Sequence, residues 1–357
     1  MKVAIVLPRG MKFSPQGATS IDIVAHDLTL ASRFHGSTYV VGEAVSEPFA
    51  DVDFRSVPPG SQTDLAKSFV EVLKGDLPDV IVVHQHPETA ARIARKLPDV
   101  PVLLHRHGLL KENRGAFSRW RKGRLFAGLA GIVFVSSFIR DSFLAQFPNL
   151  ASKTSVVFNG VGADVWAPAP SKQQTIVYVG RARQDKGVLP LIEAFRTLSA
   201  SDWSLKLILG VQTEAETAFF AEIEALVANA KSIALVKNAQ SDEVQRHLSE
   251  ASIAALPSIV REGFPRAVVE AMSCGCAVVA TRQGGTPEAA GDAALLLDRP
   301  DAPDFTERLT DALDKLTHNP ETLQELSARA RAHAVSNLSI AAVAAEYDDL
   351  LSRTAGL

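Results

Sequence analysis

Cysteine is almost missing from this chain: among 357 residues only Cys274 and Cys276 occur. Two thiols two residues apart lie on the same side of a loop or strand, so they form neither a disulfide framework nor a ligand set, and no structural metal is expected. Long apolar runs are missing as well. The opening segment MKVAIVLPRG has only about five apolar residues in succession, far below a signal core or a membrane span, and reads as the first β-strand of a cytosolic protein. Nor does charge of one sign accumulate: the formal net charge of -3 argues against a general nucleic-acid binder, a class that is usually strongly basic. With 46% hydrophobic and 22% charged residues, and 19 prolines scattered along the chain, neither half has the composition of a disordered or fibrous segment.

What is present is an alternation. Short branched apolar runs at 3–7, 38–41, 80–83, 102–104, 132–135 and 156–158 are separated by segments such as 20–34 and 87–97 that carry helical periodicity. Continuous apolar strands alternating with helices are what a parallel sheet covered on both faces requires. The stretch GVGADVWAPAPSKQQ at 160–174 breaks the pattern with small residues and two prolines, as a domain boundary does. Strand-like runs then restart at 175–179, 205–209, 233–236, 253–256, 277–280 and 294–297. The length suits two cores of about 150 to 200 residues each. The expectation is an α/β fold of two Rossmann-like domains, 1–165 and 166–338, facing each other across a cleft where their strand ends meet, followed by an amphipathic helix within 339–357.

Three segments of the second domain can carry chemistry. In VYVGRARQDKG at 177–187 the chain leaves a strand, turns through Gly180 and enters a helix. Arg181 there offers a rigid fork of donors and Lys186 a mobile point charge, a combination suited to a diphosphate at a helix start. In PSIVREGFPRAVVE at 257–270, Gly263 permits a turn and Pro265 suits the first turn of a helix containing Glu270, with Glu262 at its mouth. Two carboxylates then meet one elongated ligand at separate points and accept hydrogen bonds from sugar hydroxyls. Gly284 and Gly285, after the run at 277–280, allow close backbone approach to an anion. A solvated basic turn, a dipole-stabilised carboxylate and an ordinary strand-to-helix connection are the plain alternatives for the three.

The first domain is less explicit. Residues 10–17, ending in Gly17, form a glycine-bounded loop after the first strand that lacks a dinucleotide fingerprint and is free to close over a substrate. His105 and His107 follow a strand, as do His84 and His86, with no third ligand evident for a metal. Asp51 and Asp53 read as a solvated edge.

The run Gly180-Arg181 to Lys186-Gly187, the pair Glu262 and Glu270 in PSIVREGFPRAVVEAMSCGCAVVAT, and the following GGTPEAAGDAALLL resemble the retaining, nucleotide-sugar-dependent glycosyltransferases of the GT-B fold, family 4 or group 1, that build bacterial cell-surface glycans. The resemblance covers about residues 155–300 well and the first domain more loosely. It implies that Arg181 and Lys186 bind the donor diphosphate. Glu262 lies beside the donor sugar, with the backbone amides of Gly263 and Phe264, and Glu270 holds the ribose hydroxyls. It also implies that His107 lies near the transferred sugar, that Gly17 and Gly285 line the nucleotide sugar, and that the final helix, carrying Tyr347, packs on the first domain. Two departures stand out: Ala18 and Ser20 replace a usual glycine and glutamate, and Asn159-Gly160-Val161-Gly162 lacks the usual aspartate.

The implied reaction moves a hexose from a UDP-, GDP- or ADP-sugar to a saccharide acceptor, with no further cofactor. The expected setting is lipopolysaccharide core or other surface glycan synthesis on a lipid-linked acceptor, and the alternative is a small soluble or phosphorylated acceptor. A nicotinamide-dependent oxidoreductase would need a glycine fingerprint near residue 8, which Pro8-Arg9-Gly10-Met11 does not supply; a nucleotide-sugar sensor would keep the donor residues without turnover. Residues 111–126 hold six basic residues and one acidic residue interleaved with Phe117, Trp120, Leu125 and Phe126, a pattern suited to an anionic membrane surface at the inner face. No nucleic-acid partner is expected, and the sugar, the base and the oligomeric state stay open.

Overall fold

The computed structural model describes residues 1–111, 115–200 and 202–357, so Glu112, Asn113 and Arg114 of the basic segment lie outside the described residues. The chain divides into two compact units, Met1–Gly160 with Ile340–Leu357, and Val161–Ser339.

Unit 1 runs β1 (Val3–Val6), α1 (Ser20–Ala31), β2 (Thr38–Glu43), β3 (Asp53–Val57), α2 (Gln62–Gly75), β4 (Val80–His84), α3 (Pro87–Lys96), β5 (Val102–Arg106), α4 (Ala116–Ala127), β6 (Gly131–Phe134), α5 (Ser137–Leu144) and β7 (Thr154–Val156). All seven strands are parallel, in the order β3-β2-β1-β4-β5-β6-β7. The sequence reading misses β3 because DFRSV alternates charge with apolar residues. It is an edge strand, and an edge is where charge is tolerated and blocks further pairing. Asp53 accordingly pairs with Arg55 at 2.8 Å.

Unit 2 repeats the plan with β8 (Gln173–Arg181), α6 (Val188–Thr197), β9 (Ser204–Gly210), α7 (Glu214–Val227), β10 (Ile233–Lys237), α8 (Ser241–Glu250), β11 (Ala251–Leu256), α9 (Arg266–Ser273), β12 (Ala277–Thr281), α10 (Thr286–Ala290), β13 (Leu295–Leu297), α11 (Phe305–Thr317) and α12 (Pro320–Asn337). Its sheet order is β10-β9-β8-β11-β12-β13, all parallel. The final helix α13 (Ile340–Ala355) belongs to unit 1: Val343, Ala344, Tyr347 and Leu351 enter the core with Val3, Ile5 and Val82, and Asp348 accepts from Ser32 Oγ at 2.5 Å and Arg33 N at 2.7 Å.

Each sheet reverses its strand order once, between β1 and β4 in unit 1 and between β8 and β11 in unit 2. In open α/β sheets a ligand sits beyond the carboxyl ends of the strands at that reversal. Topology therefore selects the segments after β1 and β4 in one unit, and after β8 and β11 in the other, before any side chain is considered.

Candidate functional site

Three predicted segments of unit 2 come together at the ends of β8, β11 and β12. The turn after β8 closes onto the chain after β11 through the Asp185 carbonyl, which accepts from Ile259 N (2.9 Å) and Val260 N (3.2 Å). Gly187, at φ +74°, leads into α6 so close to this chain that a Cβ would stand 2.0 Å from the Pro257 carbonyl oxygen. Only glycine fits that approach. The turn after β12 closes from the other side: at Gly284, φ +59°, a Cβ would lie 2.3 Å from the Glu262 carbonyl oxygen. The Gly285 N–H donates to that same oxygen at 2.8 Å. That hydrogen bond fixes the backbone of Glu262.

Within this frame Lys186 Nζ meets Glu262 Oε1 at 2.9 Å, joining a predicted cation to a predicted carboxylate. Both side chains are largely covered, at 16% and 28% exposure, so the pair is held rather than free in solvent. Glu270 lies on α9 in an ion pair of 3.2 Å with the buried Arg266, one helical turn away. Helix α9 begins only at Arg266, with Pro265 as its N-cap, so Glu262 belongs to the preceding loop rather than to the helix mouth. The chain bends at Gly263 and Phe264 before the helix starts. Phe264 is buried within the loop.

Arg181 turns elsewhere. Its Nη2 donates to Glu216 Oε2 at 2.5 Å, and Glu216 is itself buried. The same oxygen accepts from Gln212 N (2.8 Å) and Thr213 N (3.2 Å) in a capping box that opens α7. Burial alone would raise the Glu216 pKa, but the hydrogen bonds from Arg181, Gln212 and Thr213 outweigh it and hold the carboxyl below its usual range. The sequence reading passed over Glu216, although Thr213-x-x-Glu216 is a capping-box signature. An open groove of about 830 Å³ adjoins this pair, lined by Arg181, Arg183, Asp185, Glu216 and Phe219; Lys186 and Glu262 do not line it. At the end of β10, Asn238 takes φ +54° and accepts from Val211 N at 2.7 Å, while Lys237 Nζ stands 4.9 Å from the Phe220 ring centroid.

In unit 1 the histidines pair differently from their spacing. His84 and His105 are register partners on β4 and β5, and His107 Nε2 lies 3.0 Å from His84 Nδ1. His86 stands apart: its Nδ1 accepts from Thr89 N to cap α3. His84 and His105 are fully buried and His107 half-buried. Burial keeps all three below the usual histidine range, with His105 at about 3, so they are neutral near pH 7. The third ring beside His84 and His107 is thus His105, and ligand atoms of the three lie within 4.8 Å of one another. Around them Arg106 donates to the carbonyls of Gln85 and Gly108, and Gln85, at φ +61°, accepts from His107 N at 3.0 Å. Gly17 closes its loop at φ +78°, but the loop is anchored by Phe13, buried between Phe49 and Phe54 at centroid distances of 5.0 and 5.2 Å.

On α4, Phe117 and Trp120 are 74% and 57% exposed and stack at 5.8 Å, while Phe126 is buried against Phe143 and Phe147. Trp120, Arg121, Lys122 and Arg124 line a groove of about 640 Å³ with Arg95 of α3. Among the described residues, no helix is long and apolar enough to cross a membrane.

The sequence matches two family models that follow each other along the chain: Glycosyltransferase Family 4 over residues 25–165 and Glycosyl transferases group 1 over 166–333. Alpha-maltose-1-phosphate synthase of Mycobacterium tuberculosis is 27% identical over 305 residues, covering 75% of this chain and 78% of the relative. Lipopolysaccharide 1,2-N-acetylglucosaminetransferase of Salmonella typhimurium is 28% identical over 226 residues, 58% of this chain and 56% of that one. The Anabaena HepE protein, solved in complex with UDP, superposes with a TM-score of 0.79 at 16% identity over 99% of this chain and 100% of its own. Paired Rossmann-like units, a basic and acidic site at the strand-order reversal of the second, and family matches spanning both units lead to one assignment: the chain belongs to the group 1/family 4 glycosyltransferases of the GT-B fold and is a nucleotide-sugar-dependent glycosyltransferase.

Proposed function

We propose that this enzyme transfers a hexose, with retention of anomeric configuration, from a nucleoside diphosphate sugar bound by unit 2 to a small phosphorylated saccharide. The observation that carries the donor half is the convergence of Lys186, Glu262 and the Gly284-Gly285 turn at the strand-order reversal. In this reading Lys186 neutralises the departing diphosphate, and Arg181, oriented by Glu216, adds a second cation. Glu262 and the Gly263 and Phe264 backbone meet the sugar, Glu270 the ribose, and His107 the transferred hexose, with Gly17 lining the ligand from unit 1. The sugar C1–O bond breaks with its electron pair passing to the diphosphate, the acceptor oxygen attacks C1 from the same face, and its proton passes to the departing phosphate oxygen. Fixed cations favour that step because they are aimed at charge that develops as it proceeds.

The acceptor half rests on likeness to alpha-maltose-1-phosphate synthase, whose name carries a phosphorylated sugar. The test is nucleotide release from UDP-, GDP- and ADP-hexoses offered with sugar phosphates and with the same sugars unphosphorylated. Release driven by the phosphorylated member of each pair is expected; equal release by both removes the phosphate from the proposal.

A second reading is favoured by the exposed Phe117–Trp120 stack beside Arg121, Lys122 and Arg124: docking on an anionic membrane, to reach a lipid-linked acceptor such as a growing lipopolysaccharide core. Each basic residue near such a surface contributes about 1 kcal/mol. Co-sedimentation with anionic vesicles that weakens with salt, and is lost when Arg119, Arg121, Lys122 and Arg124 all become glutamine, is the result this reading requires.

A further inference from the structure

The three histidines of unit 1 gather at the carboxyl ends of β4 and β5, His84 and His105 within the strands and His107 just after β5, and the contact between two of them leaves a proton to be placed. His107 Nε2 and His84 Nδ1 are 3.0 Å apart, so one carries hydrogen and the other a lone pair. Suppose His107 donates. Neutral His84 then carries its proton on Nε2, an atom that is sealed from solvent and has no partner among the described residues. Suppose instead that His84 donates through Nδ1. Its Nε2 then holds only a lone pair, and neutral His107 carries its proton on Nδ1. Buried N–H groups without acceptors are the rarer defect in folded proteins, and an under-used acceptor is better tolerated. The second arrangement is the one the geometry selects.

We propose that His84 is a positioning residue that fixes the tautomer of His107, so that His107 presents Nδ1–H as a neutral hydrogen-bond donor to an oxygen of the bound saccharide. The proposal rests on the reading of His107 given above and extends it to a proton at a stated atom. His107 Nδ1 makes no hydrogen bond with any described residue, which leaves it for a ligand. Ring rotation would put carbons where the two nitrogens now stand and break the contact with His84, and the surroundings resist it. The ring stacks on His84 at 5.0 Å and 21° and lies 4.5 Å from the His105 ring, while Gln85 Oε1 holds the backbone N–H of His107 and Arg106 clasps the carbonyls of Gln85 and Gly108. Burial keeps both partners of the pair neutral, so neither assignment is disturbed by a second proton at neutral pH. A neutral donor suits a sugar hydroxyl or ring oxygen, whereas a cation here would sit beside the buried Arg106.

A metal ion on the three rings is the competing use of the same atoms. It would take the His84 Nδ1 lone pair out of the 3.0 Å contact. It would also leave the remaining nitrogen of His105 without the acceptor that normally orients a ligating imidazole, since both His105 nitrogens lack partners among the described residues.

Long-range proton–nitrogen correlation spectra of the full chain labelled with ¹⁵N-histidine, assigned by single substitutions, test the proposal. The expected result is protonated Nδ1 and bare Nε2 at both His84 and His107. His84→Leu should mix the His107 tautomers, while His84→Asn, which keeps a donor near Nδ1, should restore the single form. Transfer should fall about fivefold to tenfold in the leucine variant and recover in the asparagine variant, the loss expected for one neutral hydrogen bond. Protonated Nε2 at His107 in the wild type, or histidine resonances shifted by one equivalent of Zn²⁺, would overturn the proposal. If the tautomer is as stated but His107→Phe transfers normally, the reading of His107 as a saccharide contact fails and the donor role falls with it.

Discussion

The two units share one topology and furnish the same place on it in opposite ways. At the strand-order reversal of unit 2 the side chains are charged and paired: Lys186 with Glu262, Arg181 with Glu216, and Arg266 with Glu270 close by. At the reversal of unit 1 the corresponding positions hold neutral imidazoles, His84 and His105 buried and His107 half-buried, and the one buried cation, Arg106 among the described residues there, is spent on backbone carbonyls. Charged pairs in a half-covered site can exchange partners when an anion arrives, because each cation meets the anion without being created or destroyed. Neutral rings in a dry setting offer direction instead of charge. The difference fits the proposal that Lys186 and Arg181 meet a nucleoside diphosphate and that His107 meets a sugar hydroxyl.

That contrast is most easily broken at Lys186. Lys186→Ala should lower kcat on the order of 100- to 1000-fold, the range for losing a group aimed at charge that develops in the transition state. Glu270→Ala should instead weaken nucleotide binding while sparing kcat at saturating donor. Steady-state rates and nucleotide titrations of both variants separate the two roles. If Lys186→Ala changed only nucleotide affinity, Lys186 would contribute uniform binding and the charged site would not be tuned to the reaction.

The second prediction sharpens the neutral half. A histidine held neutral in the folded state, with its pKa depressed, takes up protons only on unfolding. Stability therefore rises with pH between the folded and unfolded pKa values and is lost as pH falls below about 6.5. For His105 the window extends down to about 3, with a slope of about 1.4 kcal/mol per pH unit. His26 opposes this: burial would lower its pKa, but Asp27 and Asp51 outweigh burial and raise it. Urea unfolding of wild type and His105→Leu at pH 7, 6 and 5, followed by hydrogen exchange in β4 and β5, gives the comparison. The variant should lose less stability than the wild type on acidification. Parallel slopes would mean that His105 is not a neutral, proton-excluding group.

How much of this was legible in the sequence depended on the range of each signal. The motif around Lys186 and Glu262 could be read because both lie just after strands whose apolar runs are unmistakable, and the parallel α/β plan then brings strand ends together. Glycine at 187 and 284 carried information for the same reason: each sits where another backbone passes within contact distance. The histidines failed the same reading. Spacing suggests His84 with His86, yet β4 ends at His84 and its register with β5 places it beside His105 and within reach of His107, and register is not written in local sequence. Arg181 was recognised but its partner was not, since Glu216 lies 35 residues away across β9. The edge strand β3 was lost because its pattern is half polar.

The smallest expected effect concerns that missed partner. Two outcomes compete in Glu216→Gln. The carboxylate rivals an incoming diphosphate for Arg181, so removing it should tighten binding. It also orients the guanidinium, so removing it should loosen binding. The pair is half open, with Arg181 37% exposed, and an ion pair so placed contributes about 0 to 1 kcal/mol after screening and side-chain entropy are counted. Rivalry is therefore weak. Orientation is firmer, because Glu216 is anchored by two backbone N–H groups and holds one branch of the guanidinium at 2.5 Å. Glutamine keeps the length and one acceptor oxygen but gives up the charge-assisted bond. Nucleoside diphosphate affinity should fall about threefold, with a loss of about 1 kcal/mol in stability from the weakened helix cap. Calorimetric titration with the nucleoside diphosphate and a thermal melt measure the two effects separately. Tighter binding in Glu216→Gln would reverse the argument and make Glu216 a competitor that the donor must displace, rather than the residue that aims Arg181.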